Sequence, residues 1–162
     1  MYRNTFLSVM FLACCFNGSL CAQSDAQIYE RTCDAKTYPF SDPSPVATPN
    51  NSYYPYFRFD GFSMQAQEKQ WKMVVLENDY VKLTVTPEIG GKIWGAIDKV
   101  NNKEFVYTNG VVKFRDVAMR GPWTSGGIEF NFGIIGHAPT CSTPIDYLTK
   151  KNVDGSVSCH IF

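Results

Sequence analysis

The 162-residue chain has no surplus of either charge: 15 Lys and Arg stand against 15 Asp and Glu. A balanced chain has no basic excess with which to neutralise phosphates, which argues against a nucleic-acid partner. Histidine is scarce, with only His137 and His160, and no Cys-x-x-Cys occurs. No zinc spacing can therefore be read, and no metal or cofactor is expected. Phosphate-loop and dinucleotide patterns are absent, since Gly126-Gly127 lacks the required spacing and following helix. A serine nucleophile elbow is absent too. No window carries a helical period longer than ten residues. Charged residues reach only 19% against 44% hydrophobic, which excludes a disordered charged tail.

Long apolar runs are also missing, apart from Phe6 to Phe16. That run follows Arg3 and precedes Asn17-Gly18-Ser19 and Leu20-Cys21-Ala22. It has the length of a signal-peptide core and is too short to span a membrane. Residues 1–22 are therefore expected to be a signal peptide cleaved after Ala22, giving an exported, periplasmic or extracellular protein with no transmembrane segment. The mature chain keeps Cys33, Cys141 and Cys159. An odd number leaves at least one thiol without an internal partner, and Cys141 with Cys159 is one available pairing.

What the chain has in quantity is aromatics, 15% of the sequence. Residues 23–55 carry Pro39, Pro43, Pro45, Pro49 and Pro55 among Ser, Asn and Asp, and read as an extended lead-in lying on a surface. The cluster Tyr53-Tyr54-Pro55-Tyr56-Phe57 reads as packing on the domain, with a sugar-stacking patch as the alternative. From Trp71 the pattern becomes β. Lys72 to Glu77 and Tyr80 to Thr86 flank the turn signal Asn78-Asp79, and Val81, Leu83 and Val85 alternate with polar residues. Pro87 ends that strand. Lys92 to Ile97 and Glu104 to Tyr107 read as two more strands around a polar turn. Lys150 to Gly155 reads as a hairpin turn, with Ser156 to Cys159 its return strand. The expected fold is all-β, an antiparallel sandwich.

Val117 to Tyr147 holds five glycines and three prolines among Arg120, Trp123, Glu129, His137 and Asp146. One cation, two carboxylates, an imidazole and a tryptophan on glycine-rich loops are the types a sugar site needs: aromatic faces for apolar ring faces, charged groups for hydroxyls. Each also has a structural reading. Arg120 can pair with a structural acid, His137 can satisfy the fold, Glu129 in the strand-like IEFNF can face water, Trp123 can be core, and Asp146 can cap a turn.

TPEIGGKIWGAIDKVNNKEFVY, followed by MRGPWTSGGIEFNFGIIGHAPTCSTPIDY, resembles the domain of unknown function 5107 over about residues 53–158. The segment 119–147 is the specific part; the GG-x-I-x-G-x-x-D stretch is a looser echo. That family is found in exported bacterial proteins, often ahead of tetratricopeptide repeats. It is similar to the galactose-mutarotase-like supersandwich shared by aldose epimerases and glycoside-processing enzymes. The resemblance implies a carbohydrate ligand, with Arg120 binding sugar hydroxyls and His137 donating a proton to the ring oxygen. The matching base would be a glutamate nearer the C-terminus of the domain. His160 stands where the family pattern has a tryptophan-containing continuation. Residues 56–162 are thus expected to be the N-terminal part of a mutarotase-like sandwich. The rest of the fold and any repeat domain would be lost, leaving a fragment inactive by itself, a non-catalytic glycan-binding module, or a remnant without function.

Overall fold

The computed structural model describes residues 26–47, 56–58, 60–116, 121–131 and 136–162. Residues 1–22, expected as a signal peptide, Tyr53 to Pro55 and Arg120 lie outside them. The described chain is almost all β, as the turn and alternation pattern implies. Its strands are β1 (Gln27–Tyr38), β2 (Gln67–Glu77), β3 (Val81–Thr86), β4 (Lys92–Asp98), β5 (Lys103–Val106), β6 (Val112–Lys113), β7 (Arg115–Asp116), β8 (Pro122–Trp123), β9 (Tyr147–Lys151) and β10 (Val157–Ile161). One six-stranded sheet runs β5-β4-β3-β2-β1-β6, antiparallel except where β6 joins β1 in parallel. β9 and β10 form a hairpin, and β7 and β8 a short ribbon.

The expected hairpin across Asn78-Asp79 is present, with Val74 opposite Val85 and Leu76 opposite Leu83. The Asn78 side chain makes the turn by accepting the N–H groups of Tyr80 and Val81, each at 2.9 Å. Asn152 to Ser156 turns the second hairpin as expected.

Two expectations change. Residues 23–55 are not a lead-in throughout: Gln27–Tyr38 is a twelve-residue strand paired with β2 over its length. Its sequence, QIYERTCDAKTY, carries no strong apolar alternation: its outward face is solvated, its core face holds only the small Cys33, Ala35 and Thr37, and the backbone ladder completes its hold on the sheet. The strand expected at Ile128 to Phe132 reduces, within the described residues, to one bridge between Ile128 and Ile93.

β2 lies mid-sheet, and its alternation buries both faces. Trp71 and Met73 point to a core completed by Ile89, Trp94, Val112 and Phe114. Val74, on the opposite face, is also fully buried. On that face the β9–β10 hairpin packs, tied by the Tyr147 hydroxyl donating to Glu30 Oε1 at 2.7 Å. The Trp71 indole N–H is satisfied inside the core by Thr37 Oγ1 at 2.9 Å, while Lys69 Nζ lies 3.8 Å from the centre of the Trp71 ring. Thr37 is itself 1% exposed.

Thr37→Val keeps the volume and strands the Trp71 N–H, so it should cost about 1–3 kcal/mol. Thr37→Ser should recover most of that. Urea denaturation of both variants tests this, and equal stability of Thr37→Val and the wild type would contradict it.

Candidate functional site

The site is built on the first residues of β4. Two glycines bring the later loops onto that strand. Gly90 has φ +64°, and a Cβ there would lie 2.5 Å from the Cys141 backbone. Gly127 has φ +69°, and a Cβ there would run into the Ile93 carbonyl. Only glycine allows both the left-handed turn and the approach. The loop then locks on by reciprocal bonds: Ile128 N–H to Ile93 O at 2.8 Å and Ile93 N–H to Ile128 O at 3.1 Å.

Lys92 opens β4 and is 2% exposed. Its ammonium donates to Thr124 O at 2.5 Å and to Thr124 Oγ1 at 3.1 Å, and lies 5.8 Å from the centre of the Trp123 ring. Burial holds the Lys92 pKa below its ordinary value, and the nearby Glu129 charge opposes that shift. Glu129 accepts from, or pairs with, His137: Nδ1 and Oε1 are 3.0 Å apart. The His137 ring meets Trp123 edge-on, with centroids 5.8 Å apart and planes at 81°. The Glu129 side chain is 13% exposed and that of His137 44%.

His137 has φ +53°, an uncommon conformation for a residue with a Cβ. The loop holds it there: Ala138 N–H donates to Asn131 Oδ1 at 3.1 Å, and the 3-10 turn Pro139–Cys141 follows. Beneath lies Cys141, 3% exposed, whose thiol donates to Ala138 O at 2.8 Å. Burial pushes the Cys141 thiol up to about 12, aided by the Glu129 charge and a thiol–carboxylate contact, and opposed by Lys92. Glu129 Oε2 is buried without a hydrogen-bond partner. Thr140 Oγ1 is in the same state.

Three of the five residues singled out from sequence, Trp123, Glu129 and His137, thus form one cluster. Asp146 is exposed on the turn before β9, with its carbonyl accepting the Phe162 N–H at 3.0 Å. Sequence reasoning missed Lys92, Thr124 and Cys141. Lys92 was within reach, since strand alternation places it on the same side as Trp94, two residues on. Among the described residues, no group of three or more His, Cys, Asp or Glu side chains is placed to hold a metal ion. Chemically, a carboxylate that holds Nδ1 leaves the other ring nitrogen, on a half-exposed imidazole, to give or take a proton beside an indole.

The raised Cys141 value has a definite sign. The unfolded thiol ionises near 9.0 and the folded one at about 12. The contribution of the protonated thiol is complete below pH 9 and is lost as pH rises from there through 12. Tyr147, also pushed up to about 12 by burial and its bond to Glu30, adds the same trend to any variant that keeps it. Thermal melts from about pH 8.5 to 10.5 should therefore fall less steeply for Cys141→Ala than for the wild type. Parallel slopes would contradict this.

Against known proteins, the chain is similar to a solved structure from Parabacteroides distasonis ATCC 8503, a TPR-domain containing protein. The likeness is 29% identity with a TM-score of 0.71 over 80% of this chain. This chain spans 23% of the length of that relative. The family model described as a domain of unknown function (DUF5107) matches residues 48–162. That match takes in both glycine turns, Lys92 and the whole Trp123–Glu129–His137 cluster, and the chain belongs to the DUF5107 family.

Proposed function

We propose that the chain is an exported carbohydrate-binding domain whose ligand sits at Trp123 and His137. The observation that carries this reading is the His137 Nδ1–Glu129 Oε1 pair at 3.0 Å, on a ring that is half-exposed and edge-on to Trp123. An indole offers an apolar face to a sugar ring, and the outer imidazole nitrogen offers a directed polar contact. Glu129, within 3.0 Å of Nδ1, fixes the orientation of the ring.

The reading is binding rather than turnover. Epimerisation or hydrolysis needs an acid and a base acting together. Among the described residues of the cluster, Glu129 is already engaged by His137, which leaves one group to exchange protons with a ligand. Arg120 belongs to the same proposal as a hydroxyl ligand, on the strength of the family likeness. Export rests on the composition of residues 1–22. Association with a repeat domain rests on the TPR-containing relative.

Glycan screening followed by calorimetry on the full chain tests the site. His137→Asn suits the left-handed backbone, and Trp123→Ala removes the indole. Each should weaken binding of the best neutral saccharide at least tenfold, about 1.4 kcal/mol, with the far-ultraviolet spectrum unchanged. Full affinity in both variants would overturn the assignment.

A further inference from the structure

A second cleft opens between the sheet and the segment that crosses it after β5. Its volume is about 280 Å³. Side chains of Arg31, Lys82, Thr84, Trp94, Glu104 and Thr108 line it. The register explains the gathering. Arg31 lies opposite Met73 on β2, Lys82 lies opposite Ile97, and Glu104 lies opposite the same Ile97 from the other side. Gly95 supplies the room, since a Cβ there would stand 2.5 Å from Thr108 Oγ1.

Two observations bear on what the cleft could hold. Trp94 is only 7% exposed, yet among the described residues its indole N–H has no hydrogen-bond partner. That atom is not sealed away. The buried side-chain polar atoms without a partner, among the described residues, are Glu129 Oε2 and Thr140 Oγ1. The small accessible part of Trp94 therefore includes its donor, within the wall of a cavity. The donor is therefore open to an acceptor that enters the cleft.

The second observation is charge. Among the described residues neither Arg31 nor Lys82 forms an ion pair within 4 Å. Lys82 has Glu104 across one strand and faces Glu77 on β2. Glu77 is already held by the Tyr29 hydroxyl at 3.0 Å and by Lys99 at 3.4 Å. Asp34 contributes to the wall, but strand alternation sends its side chain to the opposite face from Arg31. Arg31 is thus an exposed bidentate donor at the wall of a cleft that Trp94, Thr84 and Thr108 also line.

We infer that this cleft binds a sugar acid, one ring carrying a carboxylate. Arg31 takes the carboxylate in its two-pronged geometry, Trp94 donates to a ring or hydroxyl oxygen, and Glu104 accepts from a hydroxyl. A cavity of this size suits a single ring rather than an oligomer. The site is separate from the Trp123–His137 cluster and stands whether or not that cluster binds sugar.

Calorimetry on the full chain with sodium D-glucuronate, D-glucose and sodium sulfate tests the inference. Glucuronate should bind saturably and at least tenfold tighter than glucose or sulfate. Arg31→Gln should weaken it at least tenfold, and Trp94→Phe, which removes only the N–H and part of the ring, about fivefold. Lys82→Gln provides a third variant should Trp94→Phe prove unstable, and should weaken binding several-fold. Arg58→Ala, a charge loss of the same size at an exposed site, should leave binding unchanged. Absence of glucuronate binding, equal affinity for sulfate, or full affinity in Arg31→Gln would each overturn the proposal. Loss in His137→Asn with none in Arg31→Gln would move the ligand to the other cluster and overturn it as well.

Discussion

A buried ammonium sets the terms for the site. Lys92 is almost fully enclosed at the start of β4, and a charge taken out of water must be compensated where it lies. The groups that compensate it come from one loop: both oxygens of Thr124, the Trp123 ring, and the Glu129 charge. That loop can reach Lys92 only by lying along β4. The reciprocal Ile93–Ile128 bonds and the left-handed Gly127 record how closely it does so. The orientation of Trp123, the position of Glu129 and the hold on His137 follow from the same docking. Replacing either partner alone would leave a charge or a carbonyl without its match, so Lys92 and the 121–131 loop act as one unit.

β4 serves two environments along its length. At Lys92 it anchors the Trp123–Glu129–His137 cluster; at Trp94 and Gly95 it floors the cleft beside Arg31 and Lys82. The change takes place within three residues. It is made possible by a register irregularity between Thr84 and Val85 of β3, where the partner steps from Gly95 to Ile93 and leaves Trp94 as the extra residue. Bulges of this kind re-aim a side chain. Here the result is a tryptophan turned into the core with its donor edge at a cavity wall.

Much of the sheet could be read from the chain because its signals are local. Alternation in Tyr80 to Thr86, the Asn78-Asp79 turn, Pro87 as a stop and the Asn152–Gly155 turn each act within a few residues. β1 was not legible, since its core face offers only the small Cys33, Ala35 and Thr37 and its place is fixed by eleven backbone pairings with a strand some forty residues away. At the site, residue types pointed to Trp123, Glu129 and His137, because a glycine-rich loop concentrates them in one stretch. Cys141 and Thr124 were invisible, because their part depends on a distant lysine folding beneath them. The left-handed backbone of His137 could not be foreseen either. It arises from the Asn131 side chain capping Ala138, a contact across seven positions.

The cysteines carry one more consequence. Cys33 sits on the core face of the sheet beside Trp71, whereas Cys159 belongs to the hairpin that packs against the opposite face. A sheet stands between these two thiols, so no bridge can join them without dismantling the fold. Cys141 is sealed and its thiol is held protonated. In an oxidising compartment this domain therefore gains no covalent staple from a Cys33–Cys159 bridge, and oxidation of either half-buried thiol leads outward, to a small thiol or a neighbouring molecule. Among the described residues its resistance to such surroundings rests on packing and hydrogen bonding, and oxidation of these two thiols links it to something else.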